Sequence, residues 1–251
     1  MGDWKRALEK FTGEWSERDF VEAALLTGSY ALGLQTPRSD VDVYIILSDN
    51  VNWRERGDVL VDGFLIEYFA NPVRQVRWYF EDEHSRNKRN TARIILIGKV
   101  LFDKTGIIEI LRTEAKKYME KPFPEPDPVK VELAKYVLWD ALNSLKESGE
   151  MQAPGYTYLY QLTLKEALES YARFLRTEIP PASKVYRLFS DETFRKAYLF
   201  PDFPDAEFVA LFLRAMEEVR TENAGALINH VLEKMGGFNI DGWKLRTGIS
   251  V

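Results

Sequence analysis

Asp40, Asp42 and Glu67, with the pair Gly28-Ser29, are the residues of this chain whose types and spacing point to chemistry. Asp40 and Asp42 are two apart at the start of an apolar stretch, so on a β-strand both carboxylates face the same side. Two like charges at the lip of a sheet repel, and a hard divalent cation with oxygen ligands relieves that repulsion. Gly28 lets the backbone approach a ligand closely. Ser29 offers a hydroxyl and a backbone N–H at the start of a helical turn, which suits phosphate. Glu67 interrupts the apolar run Phe64-Leu-Ile-Glu-Tyr-Phe69, where a charge is costly unless something binds it. If Glu67 shares the aspartates' face, three carboxylates converge, the ligand set for two-metal phosphoryl or nucleotidyl transfer. Read without a ligand, Asp40 and Asp42 are a surface loop entering a strand. Glu67 is then an edge-strand charge that discourages aggregation.

These residues need two neighbouring strands and a turn to bring them together. Residues 21–27 read as a short buried strand running into Gly28-Ser29, and 29–34 as a brief helical turn. The polar loop 35–39 leads to a second strand, 41–47, rich in β-branched residues. Asp62-Gly63 separates two apolar runs and predicts a two-residue hairpin, with the strand of Glu67 pairing near 41–47. Trp4, Ala7, Leu8 and Phe11 follow helical spacing behind Asp3, a capping residue. Asn71-Pro72 heads a helix through Val73, Val76 and Phe80. A further helical stretch at 88–98, a strand at 99–102 and a helix at 107–118 complete this half.

Four prolines in residues 121–128 cannot continue a helix and predict a semi-rigid spacer. Beyond it the apolar period becomes 3.6, with helices expected at 129–147, 156–177, 183–199 and 205–235. The expected organisation is an α+β domain over 1–120, a proline-rich linker over 121–128 and an all-α helical bundle over 129–251.

Hydrophobic residues make up 45% and charged residues 29% of 251, ordinary globular composition. There is no apolar run of membrane-spanning length, and the opening residues lack the apolar stretch of a signal peptide. No membrane association and a cytoplasmic location are therefore expected. The absence of cysteine excludes disulfides and thiolate catalysis, and the two histidines, His84 and His230, lack metal spacing and read as surface or capping residues. A net charge of −5 argues against bulk electrostatic binding of nucleic acid. The run 81–89 alternates in sign and reads as a solvated helix end. Tyr156, Tyr158, Tyr160, Tyr171 and Phe174 read as helix packing.

Gly28-Ser29 followed by Ser39-Asp40-Val-Asp42 resembles the signature of the polymerase-β nucleotidyltransferase superfamily, nearest the small prokaryotic branch of aminoglycoside adenylyltransferases and minimal nucleotidyltransferases. The resemblance covers about residues 20–105 and includes the segment from Lys99 to Gly106. It implies that Asp40, Asp42 and Glu67 bind magnesium, with manganese as a substitute, in a site able to take two metals. It further implies that Glu67 serves as general base. Leu162-Thr-Leu164, Arg173, Thr177, Ile179 and Ser183-Lys184 are similar to the family's C-terminal helical segment, whose lysine contacts nucleotide phosphates. That places Gly28, Ser29, Ser39 and Lys184 at the nucleotide, although Lys184 also reads as a solvated residue before a helix.

The implied activity is transfer of a nucleotide, AMP from ATP, to an acceptor hydroxyl, with a small-molecule acceptor favoured. An antitoxin-like or regulatory enzyme acting on a partner protein, and an inactive nucleotide-binding module, are the alternatives. A homodimer is implied by the resemblance only.

Overall fold

The computed structural model describes residues 4–246 and 248; Asp3, the expected cap of the first helix, lies outside them. The chain divides into two compact units, Met1–Lys121 with Ala197–Leu199, and Pro122–Lys196 with Phe200–Val251. The class is α+β followed by helices, as expected.

The first unit is built on a mixed sheet of β1 (Val21–Leu26), β2 (Val41–Leu47), β3 (Glu55–Val61), β4 (Phe64–Pro72) and β5 (Lys99–Asp103). Their order is β3-β4-β2-β1-β5. Only β2 and β4 run parallel; the other neighbours are antiparallel. Alternation along the strands divides the side chains between two cores. Val41, Val43, Ile45 and Leu47 of β2 and Ile66 and Ala70 of β4 pack with Leu8, Phe11 and Trp15 of α1 (Trp4–Ser16). Tyr44 and Ile46 face the other way. They pack with Val76 and Phe80 of α3 (Val73–Ser85), Ile95 of α4 (Asn90–Ile97) and Leu111 of α5 (Ile107–Glu120). Asp42 has the parity of this second set. α2 (Gly28–Leu32) is the helical turn between β1 and the loop to β2.

The hairpin forms where the sequence predicts it. Asp62 and Gly63 have φ of 50° and 87°, the two positive angles of a type I′ turn, and Val61 pairs with Phe64.

The second unit is helical: α6 (Pro128–Glu150), α7 (Tyr156–Phe174), α8 (Val185–Ser190), α9 (Glu192–Ala197), α10 (Ala206–Glu217) and α11 (Thr221–Lys234). Pro128, the last proline of the expected spacer, instead opens α6, with the Asp127 carboxylate accepting the Val129 N–H. Leu138, Leu142, Leu164, Leu168, Phe208, Phe212, Leu227 and Val231 lie in its core. Among the described residues no helix is long and apolar enough to cross a membrane.

Two expected helices are corrected. The helix expected at 183–199 breaks at Asp191, whose carboxylate accepts the Phe194 N–H and starts α9. The helix expected at 205–235 breaks at Glu218 to Arg220, where Glu218 and Arg220 have extended backbone. The first break follows a local capping rule rather than apolar period.

The histidines are also buried rather than superficial. His230 Nε2 lies 2.8 Å from Asp205 Oδ2, which also accepts the Tyr171 hydroxyl at 2.6 Å, tying α11, α10 and α7 together. The Asp205 carboxyl is raised by burial, but the bonds from Tyr171, Phe208 N–H and His230 outweigh this and hold it down at about 2. His84 is buried at the end of α3. In the same sign-changing run, Glu83 accepts both the N–H and the hydroxyl of Thr91 at 2.7 Å, so the run caps α4 instead of being wholly solvated.

Candidate active site

The end of β1 is fastened to β2 by the Thr27 N–H, which donates to the Asp42 carbonyl at 2.8 Å. The chain then turns at Gly28, with φ of +61°, into α2. A Cβ at Gly28 would lie 1.9 Å from Asp42 Oδ2, so only glycine brings this turn against that carboxylate. The following loop is ordered by its own polar groups: Ser39 Oγ accepts the Thr36 N–H at 2.9 Å, and the Ser39 N–H donates to the Thr36 carbonyl at 3.0 Å. It delivers Asp40 just before β2 begins.

Glu67 reaches the aspartates through register. In the parallel pair β2/β4, Asp42 stands opposite Glu67, and directly opposed residues share a face. The three half-buried carboxylates each offer an oxygen within 4.8 Å of the others'. At that spacing each pair of charges repels by about 1 kcal/mol in water-like surroundings and several-fold more where water is partly excluded. The charge needs compensation.

One compensating group is Arg56, which sequence reasoning missed. Its guanidinium donates to Glu67 Oε1 in an ion pair. It also lies over the Phe69 ring, 4.6 Å from the centroid. The signal was present in the sequence. A two-residue turn at Asp62-Gly63 fixes Asp58 opposite Glu67 and puts Arg56 on the diagonal of the same face.

Lys184, expected at the nucleotide, lies in the second unit as the residue preceding α8 and is half-exposed. Gly28, Ser29, Ser39, Asp40, Asp42 and Glu67 all lie in the first unit. Chemically the triad suits a hard divalent cation: the donors are carboxylate oxygens, converging and half-buried, and the chain has no cysteine for a softer ion.

No curated protein matches the chain. Among solved structures it is similar to a nucleotidyltransferase-like protein from Exiguobacterium sibiricum 255-15, at 12% identity over 92% of this chain and 75% of that one, with a TM-score of 0.46. A likeness that low carries no argument about activity. The firmer similarity is local: residues 8–101, which hold Gly28, Ser29 and all three carboxylates, match the family model of the nucleotidyltransferase domain.

Proposed function

We propose that this chain is a magnesium-dependent nucleotidyltransferase that moves AMP from ATP onto a hydroxyl of a small-molecule acceptor. The observation that carries this reading is the meeting of Asp40, Asp42 and Glu67 inside the residues that match a nucleotidyltransferase domain. Domains of this kind use a nucleoside triphosphate and divalent metal; ATP, magnesium and the acceptor class are our further inference.

In the proposed chemistry Asp40, Asp42 and Glu67 hold the divalent ion, which when bound neutralises the triphosphate and the charge that develops on it. Gly28 keeps the backbone low beneath the phosphates, and Ser29 turns its N–H and hydroxyl toward them. Ser39 acts by ordering the loop that presents Asp40, its hydroxyl accepting the Thr36 N–H. Glu67 takes the proton of the acceptor hydroxyl as that oxygen bonds to the α-phosphorus and the bond to pyrophosphate breaks. Lys184 is our candidate for a further cation toward the triphosphate. On this reading the protein works in the cytoplasm as a homodimer, without membrane or nucleic acid.

The test is incubation of the full chain with magnesium and α-labelled ATP against a panel of hydroxylated small molecules and cell lysate. Asp42→Asn is expected to abolish label transfer while the melting temperature stays level or rises slightly, because one repelling charge is removed. A large fall in melting temperature would make Asp42 structural. Label on a protein band instead of a small molecule would favour the regulatory, partner-modifying alternative, and no metal-dependent transfer would sink the enzyme reading.

A further inference from the structure

The Arg56–Glu67 pair is costly to explain as a fold element. Arg56 stands on β3, the edge strand, with 66% of its side chain exposed, against 17% for Glu67. A pair with one partner this exposed contributes little to stability. Yet the guanidinium is aimed at an oxygen of one of the three converging carboxylates, and its stacking over Phe69 fixes it there. Phe69 is two residues after Glu67 on β4, so ring and carboxylate share one face and the arginine bridges both.

We infer that Arg56 is a resident counter-cation of the site, holding the Glu67 carboxylate in place until a divalent ion takes over that charge. This rests on the metal-binding reading proposed above. The guanidinium and the ion are attracted to the same carboxylate, so each weakens the hold of the other. Arg56 therefore sets the metal affinity and offsets the charge of Glu67 when no metal is present. Because the Phe69 ring retains the guanidinium beside the site, the ion pair re-forms when the metal leaves. Arg56 is on this account a positioning residue, acting through Glu67.

The experiment is titration of the full chain with Mn2+ alone, without nucleotide, followed by electron paramagnetic resonance of the free ion. Removing a unit charge about 5–6 Å from a divalent ion in near-aqueous surroundings tightens its binding about tenfold, the result expected for Arg56→Gln. Arg56→Lys keeps the charge but loses the flat stacking on Phe69, so its Mn2+ affinity is expected to lie between the wild type and Arg56→Gln, a partial rescue that a purely structural role would not give. Arg56→Gln binding Mn2+ no more tightly than wild type overturns the inference and leaves the metal site standing. Wild-type chain holding no Mn2+ that Asp42→Asn removes overturns the metal-binding reading itself, and this inference with it. A melting temperature lowered by more than about 5 °C in Arg56→Gln would make the residue structural, also overturning the assignment.

Discussion

Replacing Gly28 by alanine separates the cost of the turn from the cost to the site. The backbone at Gly28 has φ of +61°, where an L-residue with a Cβ is disfavoured by about 1–2 kcal/mol. The added carbon would also sit 1.9 Å from Asp42 Oδ2 and 2.7 Å from its Cγ. Ordinary contact needs about 3.4 Å or more, so the carboxylate must move about 1.5 Å away. The Asp42 side chain rotates more easily than the sheet deforms, so the clash appears as a displaced ligand and only secondarily as lost stability. A displacement of this size commonly costs about 100-fold in function. The expected outcome is a melting temperature lower by about 3–6 °C, with Mn2+ binding and label transfer both reduced about 100-fold. Gly33→Ala is the matched control. Gly33 has φ of +73° with nothing within 4 Å of a built Cβ, so it bears the backbone cost without the collision. Calorimetry on both variants and Mn2+ titration on both give the comparison. Gly28→Ala binding Mn2+ as tightly as Gly33→Ala would refute the reasoning, because the close approach to Asp42 would then have no functional weight.

Two predictions concern stability alone. The Asp205 carboxyl falls from the usual 3.8 to about 2 on folding, so its contribution is complete above about pH 4 and is lost as pH falls through about 2. The shift corresponds to at most about 2.5 kcal/mol, and residual solvent contact reduces this to about 1–2 kcal/mol. In urea unfolding of the full chain, Asp205→Asn should trail the wild type by that amount at pH 6 and much less at pH 2.5; an equal gap at both would contradict the assignment. Asp103 closes the start of α5, its Oδ1 accepting the Gly106 N–H at 2.9 Å and its Oδ2 the Ile108 N–H at 3.1 Å. Asp103→Ala should cost about 1–2 kcal/mol in the same assay, and a loss under about 0.3 kcal/mol would show the cap to be dispensable.

What the sequence made legible was what local rules dictate. Val41 to Leu47 could only be a strand, Asp62-Gly63 could only be a tight turn, and two-residue spacing alone put Asp40 and Asp42 on one side. The position of Glu67 needed one step more, a strand partner, and the parallel pairing of β2 with β4 supplied it in register. The failures share a different cause. Residue type alone puts His84 and His230 at the surface or at a cap and Glu83 in a solvated helix end, and the apolar period runs straight through Asp191. Each in fact sits where a helix end or a buried carboxylate satisfies it. Polarity specifies that a group must find partners, and only tertiary packing decides whether those partners are water or protein. Arg56 falls between the two cases. Its place beside Glu67 followed from counting back from the turn, so it was derivable from local rules, yet it goes unnoticed when only acids are sought at a metal site. The same counting puts Asp58 directly opposite Glu67, so Asp42, Glu67 and Asp58 stand in register across β2, β4 and β3. The charges of these acids repel one another, and cations set among them offset that repulsion. Arg56 is a cation that the fold supplies beside Glu67, and the divalent ion is the one the proposed reaction would bring.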